Sequence, residues 1–391
     1  MRSRQTLVAA VMVLLGCHPV LARDDQESVG SPGFKASTTA QCCVDAYAAH
    51  VERSYIAVGE GARRLRAAVE AFCAAPSADG LERARSCWKA ARESYGRTEA
   101  FRFGDGPIDA RRGGVETFVN AWPVDESYID AVEGAATPGI IANPTKYPSV
   151  GRAILRVHNQ RGGETNVCTG WHAIEFVLWG QDRSFTGPGD RSFQDFVDGQ
   201  APHADRRREF LLEICDLLCE DLAHLAKAWK NDGSSYRGRF VKDVPAALRS
   251  MLSGLALLSG FELAGERLAA ALESRDQEQE HSCFSDTTDR DFQVGLEGIA
   301  MVLRGSDGCG LIAVVRERDA EVATRLEASL VKAESCMTRI PHPFGAALQA
   351  PESSEQRQRL VEIMESLETL SDDVTAAARA LGFTLPTEPQ G

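Results

Sequence analysis

Apolar residues recur along most of this chain at three- and four-residue steps. Across residues 39–74, Val44, Tyr47, Val51, Tyr55 and Val58 make one stripe, the pattern of an amphipathic helix. Pro76-Ser77-Ala78-Asp79-Gly80 breaks that helix and starts another, over 81–103, in which Trp88, Tyr95 and Glu99 fall on one face. A Gly/Pro-rich connection from Gly104 to Pro148 follows, and helical periodicity returns over 169–180, 205–229, 243–274, 291–304, 318–338 and 354–381. No useful strand-like alternation occurs, so the pattern predicts an all-α fold. The number and length of the segments suit two antiparallel helical bundles packed with a cleft between them, over residues 39–233 and 234–385, with a tail at 386–391.

One segment departs from amphipathic patterning. Thr169-Gly170-Trp171-His172-Ala173-Ile174-Glu175-Phe176-Val177-Leu178-Trp179-Gly180 is apolar all round except for His172 and Glu175. Such a helix is buried. Thr169 is its expected N-cap and Gly180 its stop, and Gly170 permits close backbone approach. His172 and Glu175, three apart, project together. A buried imidazole and carboxylate must be paired with each other or bound to a metal, because an isolated buried charge is costly. The first helical turn favours a neutral, ligand-ready imidazole. Neither the zinc-protease HExxH nor its inverted form is present, since position 176 is Phe. Trp122, Trp171 and Trp179 are expected in the core.

The N-terminus carries a secretory signal in residues 1–22: Arg2 and Arg4, then an apolar run from Leu7 to Gly16 too short to span a membrane. Leu14-Leu15-Gly16-Cys17 resembles a lipobox, which would make Cys17 the lipidated N-terminus, while Val20-Leu21-Ala22 fits ordinary cleavage before Arg23. Residues 23–38 read as a flexible tether. An exported protein in the periplasm or at the outer membrane follows, touching the membrane only through its lipid. The composition, 43% apolar and 25% charged, is that of a soluble globular protein, and the net charge of -13 argues against nucleic acid as a partner. Eleven cysteines in an oxidising compartment imply disulfides alongside buried thiols, with the pairing left open. Adjacent Cys42 and Cys43 each need a distant partner or none.

Gly170-x-His172-x-x-Glu175, with its continuation through Asp182, resembles the signature of the imelysin family. Trp88-x-x-Ala91-Arg92 with Thr98-Glu99-Ala100-Phe101-Arg102, Gly106-Pro107-Ile108-Asp109, Asn120-Ala121-Trp122-Pro123-Val124-Asp125-Glu126 and Glu280-His281-Ser282-Cys283-Phe284-Ser285-Asp286 resemble further motifs of that family, so the similarity runs from about 40 to 385. Gly345, where an acidic residue is usual, and Thr287-Thr288, where Asn-Thr is common, depart from it. The resemblance implies two similar bundles whose motifs meet in a cleft, and supporting roles for Gly170, Arg102, Asp109, Ser282 and Asp286.

A metal needs more than two ligands. Of the other histidines, His281 is the best companion for His172 and Glu175, and Glu99 is the best-placed further carboxylate, with Arg92 or Arg102 as the ion-pair alternative. The six acids Asp276, Glu278, Glu280, Asp286, Asp289 and Asp291 read instead as a solvated loop. Imidazole with carboxylates suits iron, with zinc as the second choice. The resulting expectation is an envelope protein that binds iron, or an iron-bearing ligand, for uptake. The alternatives are a metallopeptidase using Glu175, with Glu99 or Glu280 as base, and a scaffold for adhesion or for an envelope protein partner.

Overall fold

The computed structural model describes residues 35–389. The expected leader, Cys17 and most of the expected tether lie outside the described residues. Nine principal helices carry the fold, and no strand occurs among the described residues. Helix α1 spans Thr38–Ala74, capped by the Ser37 hydroxyl accepting from Ala40 N. Helix α2, Ala78–Gly96, is capped in the same way by Ser77. The remaining helices are α3, Gly170–Trp179; α4, Ala204–Ala228; α5, Val244–Ser274; α6, Thr288–Arg304; α7, Leu311–Arg318; α8, Ala320–Met337; and α9, Glu355–Ala380.

Helices α1, α2, α3 and α4 pack on one another, as do α5, α8 and α9, while α6 packs on both α2 and α5. The described residues cluster as one compact unit. Three local features differ from the sequence reading. The second helix stops at Gly96 and tightens into a 3-10 turn, Arg97–Phe101, where Thr98 Oγ1 donates back to Tyr95 O at 2.6 Å. The helix expected over 318–338 is α8, and an unexpected helix, α7, runs up to it: Asp319 leaves the helical region between the two and caps α8 through Glu321 N and Val322 N. Third, α5 is α-helical only at its ends: Leu257–Ala269 is a π-helix. In the wide π turn residues five apart align, so Leu258, Leu263 and Leu268 are all fully buried on one line. Helix α5 is long and apolar enough to cross a membrane, yet two-thirds of its most apolar window is buried inside the protein, as a core helix requires.

A disulfide, Cys42–Cys309, fastens the start of α1 to the loop before α7, across 267 residues of chain. Its neighbour Cys43 stays a buried thiol whose pKa burial pushes up to about 12.

Candidate functional site

All ten residues of α3 are buried, as its all-round apolar pattern requires. Its entry is set by Gly170, at φ +85°, where a Cβ would sit 2.5 Å from Val119 O. Thr169 stands at the N-cap without capping: its hydroxyl donates instead to Phe118 O at 3.0 Å, which pins the helix start to the preceding loop. Trp88 Nε1 donates to Trp171 O at 3.0 Å and holds the first turn from the other side.

That entry turns His172 toward His281, and their Nε2 atoms lie 3.1 Å apart. On the far side of each ring a carboxyl group is in place. Glu175 Oε2 is 2.9 Å from His172 Nδ1, and Asp291 Oδ2 is 2.7 Å from His281 Nδ1. Glu175 Oε1 accepts from Ser285 N and Oγ at 2.9 and 2.6 Å, while Asp291 Oδ2 also accepts from Arg92 Nη2 at 3.0 Å and Ser282 Oγ at 2.7 Å. Ser282 holds a left-handed conformation, φ +63°, unusual for serine and found where surrounding contacts over-determine a site. Thr288 Oγ1 fixes the backbone of His281 by donating to its carbonyl.

The electrostatics and the hydrogen-bond geometry together favour one arrangement of the protons. Burial would raise Asp291, but Arg92 and His281 hold it well below the carboxylate range, so it is ionised and takes the Nδ1–H of His281. Burial, then Arg267, lowers His281 to about 4, leaving it neutral with a free Nε2 lone pair. His172 is lowered well below its ordinary value by burial and by His281, so it too is neutral. The 3.1 Å contact then requires His172 to donate Nε2–H, and its Nδ1 becomes an acceptor. Glu175, which burial pushes up to about 8 against the hydrogen bonds from Ser285, carries the proton that satisfies it. The site is one directional chain, Glu175 to His172 to His281 to Asp291. Removing a single proton from Glu175 and reversing the His172 tautomer would leave two Nε2 lone pairs converging at the same point.

Trp122, expected in the core, is only partly buried; Trp171 and Trp179 are buried as expected. The Trp122 ring covers the pair, with centroids 4.8 Å from His172 and 5.9 Å from His281. Glu99 lies beside the pair rather than on it. Its Oε2 accepts from Arg267 Nη2 at 2.6 Å, with Arg92 and Arg102 at 3.7 and 4.0 Å, and these guanidinium groups outweigh burial and lower its pKa. Arg102 also meets Glu116 at 3.1 Å and Glu262 at 3.6 Å. Asp109 is elsewhere, bracing its own loop by accepting from Phe103 N and Gly106 N. Asp286 is half-buried, with His342, Asp289 and Lys89 as its charged neighbours.

Sequence reasoning missed Arg92 as the partner of Asp291, gave neither Asp291 nor Ser285 a role at the site, and missed Arg267 and Glu262 on α5. Asp291 had looked like part of a solvated acidic loop, whereas it is buried in the first turn of α6. Arg267 and Glu262 are five apart and bonded at 2.7 Å, an alignment that a π turn creates and an α-helix does not.

A family model described as Imelysin matches residues 51–374. Iron-regulated protein A of Synechococcus elongatus is 24% identical over 313 residues, 76% of this chain and 75% of that protein. The crystal structure of a putative iron-regulated protein A precursor from Parabacteroides distasonis superposes with a TM-score of 0.70, covering 90% of this chain and 97% of its own at 16% identity, a likeness of fold.

Proposed function

The chain belongs to the imelysin family, and on that premise we propose that it is an exported, iron-related envelope protein that takes up a metal at the His172–His281 pair. The observation that carries this reading is the pair itself: two Nε2 atoms 3.1 Å apart, each ring held from behind by a buried carboxyl group. Carboxylate-backed imidazoles are the arrangement that orients metal ligands and fixes their tautomer. Two nitrogens this close fall within the span of neighbouring positions on one first-row metal ion. The names of the two relatives favour iron over zinc.

Among the described residues, no group of three or more His, Cys, Asp or Glu side chains is arranged to hold a metal alone. His172 and His281 therefore supply two donors, which favours a ligand that brings further donors of its own, an iron-bearing chelate rather than a bare ion. When bound, the metal supplies open coordination positions for those donors. Glu175 releases one proton, Asp291 keeps His281 in the Nδ1–H tautomer, and Arg92 and Ser282 hold Asp291 in place. His172 comes from the segment assigned to the first bundle and His281 from the second, so this reading puts the ligand in the cleft between 39–233 and 234–385. Export uses residues 1–22, through lipidation at Cys17 or cleavage before Arg23.

The test is titration of the purified chain with iron, offered as the free ion and as a citrate chelate, and with zinc, alongside His172→Ala and His281→Ala. Iron bound equally by wild type and both variants would sink the proposal. Degradation of an unstructured protein, abolished by Glu175→Gln, would replace it with the metallopeptidase reading.

A further inference from the structure

At the far end of α3 from His172, two guanidinium groups share one buried carboxylate. Arg207 Nε and Arg191 Nη1 both donate to Asp130 Oδ2, at 2.8 and 3.3 Å, and Asp130 is 1% exposed. Arg207 is otherwise satisfied, donating to Asp195 O and Pro202 O at 2.5 and 3.3 Å. Arg191 is not: its Nε–H is buried with no acceptor among the described residues. Its guanidinium lies over the Phe176 ring, 5.3 Å from the centroid, and meets the half-exposed Asp195 only at 3.7 Å. A buried N–H without an acceptor is costly, more so on a charged group.

Both arginines line a pocket of ≈ 330 Å³, the lower end of the range for small-molecule sites. Gly180, φ +78°, forms part of its wall, and a side chain there would begin 3.4 Å from Arg191 Nε. The bare glycine packs against Arg191 there, where a side chain would press on its Cβ at 3.1 Å. Arg191 and Arg207 thus bring two positive charges against the one of Asp130, while Glu133, Asp190 and Asp195 add carboxylates to the lining, Glu133 already paired with the lining Arg183. Burial and the nearby Arg207 lower the pKa of Arg191, as an under-compensated cation requires. The planar fork of an arginine matches a carboxylate. A multiply charged anion would be repelled by the outer carboxylates, which would instead receive a cation.

We propose that this pocket binds a small carboxylate seated on Arg191, and that Asp190 and Asp195 select one that also carries an ammonium group, the chemistry of a free amino acid. The site is independent of the imidazole pair, from which it is separated by about 12 Å along the helix at 1.5 Å per residue.

Thermal melts and calorimetry of the purified chain with glycine, leucine, acetate and inorganic phosphate test this. The expected result is a saturable rise in Tm with an amino acid, at least tenfold weaker binding of acetate, and no effect of phosphate. Arg191→Gln should weaken amino-acid binding at least tenfold. Ala142→Glu, which puts a negative charge on the pocket wall without removing an Arg191 contact, should do the same if the first variant fails to fold. No binding by wild type, or undiminished binding in the folded variants, overturns the site; acetate or phosphate binding as tightly as an amino acid overturns the selection.

Discussion

His172 Nε2 and His281 Nε2 meet at 3.1 Å although 109 residues separate them in sequence. Each nitrogen is useful to a metal only because the other is there, so the two should act as one unit. His172→Ala and His281→Ala are each expected to lower metal affinity more than tenfold, and the double variant to lose little beyond either single one. A double-mutant cycle by calorimetry measures this coupling, and additive losses would contradict it.

Glu175 should be replaceable by its amide. In Glu175→Gln the side-chain carbonyl still accepts from Ser285 and the amide still donates to His172 Nδ1, so unfolding free energy should change by less than about 1 kcal/mol. Glu175→Ala strands the buried donors of Ser285 and the acceptor of His172, at about 2–4 kcal/mol. Denaturant unfolding of both variants decides the matter: equal damage would mean that Glu175 is ionised in the resting protein.

Acid stability should depend on Glu262. Burial would raise its pKa, but Arg267 and Arg102 outweigh this and hold it at about 2, against an ordinary value of 4.5. A carboxylate whose pKa is lower in the folded state contributes stability above about 4.5, and that contribution disappears as pH falls toward 2. Glu262→Gln should be less stable than wild type at pH 7 and should show a shallower decline of Tm with acid through that window. A parallel decline in the two proteins would exclude the assignment.

Gly170→Ala should cost about 3 kcal/mol, from a strained positive φ together with a Cβ 2.5 Å from Val119 O. Gly187→Ala is the control, since a Cβ there meets nothing within 4 Å. Equal melting temperatures for the two variants would remove the argument that Gly170 sets the entry of α3.

The all-α fold and half of the imidazole pair were legible because both lie in local pattern. His172 and Glu175 stand out as polar residues on a helix apolar on every face, and a resemblance spread over several motifs added His281. The buried ion pairs around them were not legible. Asp291 reads like any other acid of this run, and what buries it is Arg92, a contact made across 199 residues. Glu99 shares a helix face with Trp88 and Tyr95, as its spacing suggests, but its strongest partner, Arg267, sits on a helix whose period is not the one the eye reads. Trp122 resembles a core residue by composition, and only the packing leaves it partly open above the histidines.

The π-helical stretch of α5 has a consequence for how this protein can change over time. Glu262 and Arg267 share a face only while the chain keeps the extra residue in each wide turn. Substituting a neighbour such as Leu263 alters packing and leaves that phase intact. Deleting one residue outside the 262–267 interval, with a return to the tighter α winding, leaves the two charges five apart on a shorter turn and swings one side chain away from the other. In this stretch a change of length moves the two charges relative to one another, which a change of letter does not.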